Sequence, residues 1–334
     1  MLTDSKKLKP PFNYKTIILV LIIVFIIIFS AQRVGIPEIV DRLYEVSLDI
    51  IGVKETSRIN DGLSRIFNEM WPPVIETKKD INLILNFDSS NLPFYSFIEN
   101  QKIQLYETNI ETLELESREE EVLFLVEPFG YLKVVIIKII ESIEIAFWSS
   151  FIALIISIPL AYYSAKNYAP NKIIYYLCRS IVSALRAVPE LISVLFMVLA
   201  FGFGPAAGIM ALGLHSAGFL GKFFAEDIEN ADKGSQDALK ALGASKWRVL
   251  KEAVLPQVMP QYVAYILYIL DRNLRMATVI GLVGGGGIGQ ELKGRFDLFE
   301  YGHVTTIILV IFIVVFIFDQ ISAKLRNKLI GNSS

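Results

Sequence analysis

Residues 235–256 read SQDALKALGASKWRVLKEAVLP, and the organisation of the chain turns on this stretch. Asp237, Ala238, Leu239, Ala241 and Leu242 fit a short helix. Gly243 offers the positive-φ conformation that lets a chain reverse after a helix. Ser245 can cap a second short helix, and Pro256 separates that helix from the next span. The pattern predicts helix, glycine break, helix and proline stop. Apolar segments flank it at about 206–224 and 258–283, so it connects two hydrophobic spans. Such an elbow is either a rigid knob for another protein's groove or an interfacial element on lipid headgroups, which Lys240, Lys246, Arg248 and Lys251 would suit.

The apolar character extends outward from there. Of 334 residues 53% are hydrophobic and 20% charged, and the mean hydropathy is +0.50. Thr16 to Gln32 (TIILVLIIVFIIIFSAQ) and Thr306 to Phe318 (TIILVIFIVVFIF) contain no ionisable group. A bilayer core of ~30 Å needs roughly 20 helical residues, so these runs read as membrane spans and exclude a soluble globular enzyme. Further spans are predicted at about 139–163, 179–202, 206–224, 258–283 and 303–322. The single Cys178 excludes an intrachain disulfide framework and a multi-cysteine zinc site. A formal net charge of −2, with no basic tract longer than Lys6-Lys7, argues against nucleic acid as a partner.

The predicted fold is an all-α polytopic membrane protein of about six helices, with a small mixed or β-containing insertion. Lysines at 6, 7, 9 and 15 precede the first run, as in a signal peptide. The run nevertheless has spanning length, and Ser30-Ala31-Gln32-Arg33 is a poor cleavage site, so it reads as an anchor. The excess of lysine and arginine places residues 1–15, 164–178, 225–257 and the C-terminal tail inside. The resulting organisation is a tail and first span (1–32), an extracytoplasmic segment with an acidic insertion (33–130), a membrane domain (131–325, with its loop at about 226–256) and a tail (326–334). Within the insertion Glu107, Glu111, Glu114, Glu116 and Glu119 to Glu121 crowd together, and alternation at 81–87 and 103–106 suggests short strands. This segment is read as a solvated cap, with a docking surface as the alternative.

Against this background, Asp-Ala-Leu-x3-Gly-x9-Ala-x-Leu-Pro resembles the "EAA" coupling loop of ABC importer membrane subunits. The family pattern is Glu-Ala-Ala-x3-Gly-x9-Ile-x-Leu-Pro. Ala238, Gly243, Leu255 and Pro256 match it; Asp237, Leu239 and Ala253 depart mildly. Leu255 to Pro260, Arg272 to Val279, Gly281 to Gly289, Arg186 to Glu190, Gly202 to Pro205 and Leu214 to Gly218 are similar to the phosphonate importer permeases; permeases for methionine and related oxyanions share much of this pattern. The resemblance covers about 130–325, with a weaker match over the first span and Trp71-Pro72-Pro73. It implies a non-enzymatic transport subunit in the cytoplasmic membrane with both termini inside. Its partners would be two ABC ATPase subunits, an extracytoplasmic phosphonate-binding protein and a second copy of the chain, with a paralogous permease as the alternative to that copy. Cofactors would be absent here, with ATP and magnesium at the ATPases.

The residues themselves supply no ATPase. Gly284-x4-Gly289 is followed by Gln290-Glu291 where a P-loop needs Lys and Ser/Thr, and Gly284-x-Gly286-x-x-Gly289 matches a dinucleotide fingerprint without a βαβ context. Gly284, Gly285, Gly286, Gly287 and Gly289 read as a flexible outer turn at the mouth of a pathway, or as simple loop slack. Polar residues at membrane depth form the second group: Arg186, Glu190, His215, Lys222, Asp271, Arg272, Asn273 and Arg275. A charge at a helix centre costs about 2.5–3.5 kcal/mol on insertion scales, so these face protein or water. Asp271 and Arg275, like Arg186 and Glu190, are spaced to pair at i,i+4. That leaves Arg272 uncompensated within its helix. Internal ion pairs and an anion-passing lining both fit them. Gly213, Ala217 and Gly221 allow close helix approach, within the chain or to a second copy. An intramembrane enzyme on lipid phosphates lacks any visible acid/base or metal constellation, since His215 and His303 are far apart. A simple anchored receptor leaves the elbow and the midplane charges unexplained.

Overall fold

The computed structural model describes residues 14–51, 58–85, 87–89, 92–108 and 115–331. Lys6, Lys7, Lys9, Glu111, Glu114 and residues 332–334 lie outside them. Contacts divide the chain between Glu69 and Met70, inside the 33–130 segment rather than at its ends. The first unit is helical: α1 (Tyr14–Val34), α2 (Ile36–Ile50) and α3 (Arg58–Met70), with Gly35 at φ 76° turning α1 into α2. Neither α2 nor α3 is expected from the mixed 33–71 stretch.

The second unit opens with a small antiparallel sheet of β1 (Thr77–Asp80), β2 (Phe97–Thr108) and β3 (Leu115–Glu127), in the order β1-β3-β2. The β2–β3 register runs from Phe97 opposite Val126 to Thr108 opposite Leu115, so 103–106 lies in a strand as expected. Residues 81–85 and 87 do not, and residue 86 lies outside the described residues. Asp80 accepts a hydrogen bond from Asn82 N at 2.8 Å and starts a 3-10 turn over Ile81–Leu83, a local side-chain bond that competes with strand pairing. The acidic run Glu119 to Glu121 lies exposed on β3, with Lys102 3.7 Å from Glu121 across the ladder.

The membrane unit comes next: α4 (Gly130–Ser164), α5 (Lys172–Ala187), α6 (Glu190–Phe201), α7 (Pro205–Asn230), α8 (Lys233–Ala241), α9 (Lys246–Val249), α10 (Leu255–Ile280), α11 (Ile288–Asp297) and α12 (Tyr301–Gly331). Among the described residues five helices are long and apolar enough to cross a membrane, or six if the bent pair α5 and α6 counts as one span. The span expected at 179–202 is therefore two helices at 95°. Pro189 disfavours helical backbone at the residue before it, and Val188 is extended, with φ −81° and ψ 123°.

α7 is the buried centre of the bundle, and its small residues explain why. A Cβ on Gly213 would meet Ile152 of α4 at 3.2 Å, and one on Gly221 would meet Val182 of α5 at 3.3 Å. The Gly213, Ala217, Gly221 stripe thus packs within the chain, against α4 and α5. This resolves an alternative that spacing alone left open.

Candidate functional site

The elbow is built by local capping chemistry. Asp232 caps α8, accepting from Ser235 N. At the other end Gly243 has φ 79°, its N–H donates to Lys240 O, and Ala244 N–H donates to Leu239 O, the Schellman closure that a left-handed glycine permits. Ser245 then accepts from Arg248 N at 3.4 Å and starts α9. One expectation fails here: Pro256 is not a stop. α9 passes through a π-helical turn at Leu250–Val254 and continues as α10. In that turn Leu255 N–H reaches back to Leu250 O, so the wide turn absorbs the N–H that the following proline lacks. The elbow's outer half is therefore rigidly continuous with a membrane span.

Burial divides the resembling residues. Asp237, Ala238, Gly243 and Pro256 are exposed, and the tip presents Leu242 at 84% and Trp247 at 63% exposure. Leu239 is half-buried, Ala253 is buried, and Leu255 packs on the core formed with α4 and α7. Ala253 and Leu255 thus fasten the elbow to its span, and the apolar tip is free.

The midplane residues separate into three groups. Glu190 stands at the first position of α6, where its Oε1 receives the guanidinium of Arg272 from α10 and lies 3.1 Å from His215 Nε2 of α7. Arg272 and Arg186 both lie over the Phe219 ring, at 4.6 and 4.8 Å, in cation–π geometry. Hence Arg272 is compensated across the fold, and the expected Arg186–Glu190 pair is not formed, because the break at Val188-Pro189 separates them. Arg186 Nε has no hydrogen-bond partner among the described residues.

Asn273 forms the second group. Its Nδ2 donates to Ser150 Oγ of α4 at 2.9 Å, and its Oδ1 accepts from Ser216 Oγ of α7 at 2.8 Å. It bridges three helices in the interior. The third group is the expected helical pair, Arg275 with Asp271 at 2.7 Å; the Asp271 side chain is 5% exposed and that of Arg275 47%. Lys222 joins none of these. It pairs with Glu226 at 3.6 Å, about 10 Å along α7 from His215.

The glycine segment is not slack. Gly284 to Gly287 and Gly289 are all buried. Gly287 N–H donates to Glu141 at 3.0 Å, Ile288 N–H donates to Ser142 at 2.8 Å, and Gly284 O accepts from Gly204 N at 2.9 Å. A Cβ on Gly289 would come within 2.1 Å of Thr278 O. The glycines exist for close backbone packing of the α10–α11 connection against α4 and the α6–α7 turn, rather than for flexibility. Beyond it, burial pulls the Arg295 pKa down, but hydrogen bonds to Glu291 and Glu300 outweigh this and leave it raised.

Sequence reasoning missed Ser150, Ser216, Phe219, Glu141 and Ser142. His215 and Phe219, four apart on α7, carried a faint signal of a shared face.

A bundle of broken and continuous spans with a capped, apolar-tipped elbow rigidly joined to one of them defines a transport permease. Residues 157–330 match the family described as the binding-protein-dependent transport system inner membrane component, and the chain belongs to that family of ABC importer membrane subunits. It is 52% identical over 261 residues, 78% of this chain and all of the relative, to a Stutzerimonas stutzeri protein assigned to a phosphite transport system as its permease HtxE. It is 36% identical over 190 residues, 57% of this chain and 36% of the relative, to the phosphate-import permease PhnE of Mycolicibacterium smegmatis. The fold is shared with the inward-facing MetNI methionine ABC transporter, at a TM-score of 0.52 and 19% identity over 59% of this chain and 97% of that one.

Proposed function

We propose that this chain is the membrane-spanning half of an ATP-driven importer for phosphonate or a related phosphorus oxyanion such as phosphite or phosphate. It acts without enzymatic activity of its own. Its elbow, on the cytoplasmic side with both termini, seats in a separate ATPase subunit that carries ATP and magnesium. Two elbows are needed for two ATPases, so a second copy completes the pathway. An extracytoplasmic binding protein delivers the substrate on the side of the sheet and the glycine segment. The acidic hairpin there is a solvated cap.

The observation that carries the reading is the elbow: an exposed apolar tip, closed by Gly243 and continuous through a π-helical turn with α10. A push on the tip is transmitted to the span that bears Asp271, Arg272, Asn273 and Arg275. A second feature supports a polar path. Gln257, Gln261, Tyr268 and Arg275 are exposed residues of α10 at spacings that put them on one helix face. Polar groups at successive depths, ending in an arginine, do not face lipid; water or a second copy covers them. The relatives named for phosphite and phosphate transport support the substrate class. Arginine's planar fork suits phosphorus oxyanions.

The test is Gly243→Val. With φ 79° and nothing within 4 Å of a Cβ, its effect is confined to backbone strain of about 1–2 kcal/mol. Co-expressed ATPase should no longer co-purify, and phosphite uptake should vanish, while the protein's level in the membrane stays normal. Undiminished co-purification and uptake would remove the elbow's role.

A further inference from the structure

The recess behind the elbow is lined by residues whose charge the coupling reading, carried by the apolar tip, does not use. It is a concavity of about 470 Å³, open to solvent on one side. Lys233, Lys240 and Lys246 line it with Asn167 from the α4–α5 connection, and its lining includes no carboxylate. Lys240 has a partner outside the lining, Asp237 at 2.9 Å. For Lys233 and Lys246 no ion pair is found among the described residues. Both occupy the first position of a helix, Lys233 in α8 and Lys246 in the helix that continues into α10. Helix starts carry positive partial charge, so cations there have the disfavoured sign.

Beneath them Gln236 is buried, its Nε2 donating to Ala231 O and Asp232 O at 3.1 Å each. The floor is therefore fixed. Three lysines line a concavity whose lining holds no carboxylate; Lys240 is paired with Asp237, and the repulsion between the other two is relieved by an anion. A single carboxylate brings one charge. A phosphate group brings more charge and several acceptor oxygens, matching the donors of the Lys233 and Lys246 ammonium groups.

We propose that this recess is a phosphate-type anion site, separate from the translocation path, that takes either the headgroup phosphate of an anionic lipid or free phosphate. It rests on the proposed function only for the side of the membrane it faces. Occupied, it ties the starts of α8 and α9 to the α4–α5 connection through Asn167, and so stiffens the elbow against the bundle.

The full-length chain in nanodiscs tests this without ATPase or uptake, so its failure leaves the coupling reading untouched. In a W71F/W148F background Trp247, next to Lys246 and 6.4 Å from the Tyr162 ring, is the sole indole reporter. In phosphatidylcholine discs, inorganic phosphate should shift Trp247 emission saturably while chloride at equal ionic strength does not. Alternatively, phosphatidylglycerol added to the discs should be retained in native mass spectra with no phosphate response, which assigns the site to lipid. In whichever arm responds, K233Q/K246Q should weaken binding about tenfold or more, and the tail variant K324Q/K328Q should not. Wild type and K233Q/K246Q behaving alike in both arms, or equal loss in K324Q/K328Q, would overturn the proposal.

Discussion

The clamp between α6 and α10 makes a quantitative prediction. Glu190 and Arg272 meet across 82 positions of sequence, and their side chains are 19% and 22% exposed. Removing one partner of a buried pair costs about 3–5 kcal/mol, because the other charge is left uncompensated. With a fifth of each side chain still exposed, solvent screening brings the cost to the bottom of that range or just below it. Glu190→Met and Arg272→Met should each destabilise by about 2–3 kcal/mol; the arginine variant also loses its contact with Phe219, worth about 0.5–2 kcal/mol. The double variant should not lose the sum. With both charges gone and similar volumes in place, it should fall within about 1–2 kcal/mol of wild type, the remainder being the contacts of His215 with the pair and the ring contact. Reversible unfolding in mixed detergent–SDS micelles measures all four corners of this double-mutant cycle. A coupling energy of about 2–5 kcal/mol is expected. Losses that add to within about 0.5 kcal/mol would show that the two residues do not support each other, and the clamp would have to be abandoned.

Three further outcomes rest on particular contacts. Gly289→Ala drives a methyl group to 2.1 Å from Thr278 O and should destabilise by about 3 kcal/mol or more in the same assay; Gly294→Ala, with open space around its Cβ, should change stability by less than about 1 kcal/mol. Arg275→Met should abolish phosphite uptake while ATPase co-purification persists, because Arg275 is remote from the elbow; normal uptake would assign it to structure alone. On the sheet, the hydrogen bond from Lys78 to Glu99 at 3.0 Å holds the Glu99 carboxyl below its ordinary range. Its small contribution is therefore present above that range and fades as pH falls through the lowered value. An NMR titration should find a depressed midpoint that Lys78→Met raises.

The elbow was legible because its determinants are local. A helix start, a left-handed glycine and a serine cap each act within four residues, and Gly243 and Ser245 occupy the roles their types suggest. The spans were legible because length and apolarity suffice. What failed depended on partners distant in sequence or on competition between local options. Arg186 and Glu190 have the spacing of a pair, but Pro189 broke the helix they would share and delivered Glu190 to Arg272. Pro256 resembles a stop, yet five residues of wider turn before it let the helix continue. The glycines at 284–289 look flexible in isolation; only α4, with Glu141 and Ser142, and the α6–α7 turn make them a packed seam. Residues 81–87 alternate like a strand, but the Asp80 side chain captured Asn82 N first.

Two arginines three residues apart on α10 have different surroundings, and on the proposed reading one is a structural charge and the other a transport charge. Arg272 is held from three sides, by Glu190, His215 and Phe219, and any ion that bound it would have to displace a carboxylate already in contact. Among the described residues Arg275 pairs with Asp271 alone, whose Oδ2 it meets while Oδ1 is left without a partner, and nearly half of the Arg275 side chain is exposed. On the proposed path an oxyanion competes with Asp271 alone. That competition is useful, since a lone arginine would bind a phosphorus oxyanion tightly and retain it. A buried aspartate one helical turn away returns to the guanidinium as the anion leaves, so neither charge is left isolated at membrane depth. The same logic requires Asp271 to stay in place when the elbow moves. Asn273, two residues further on, anchors that part of α10 to Ser150 and Ser216.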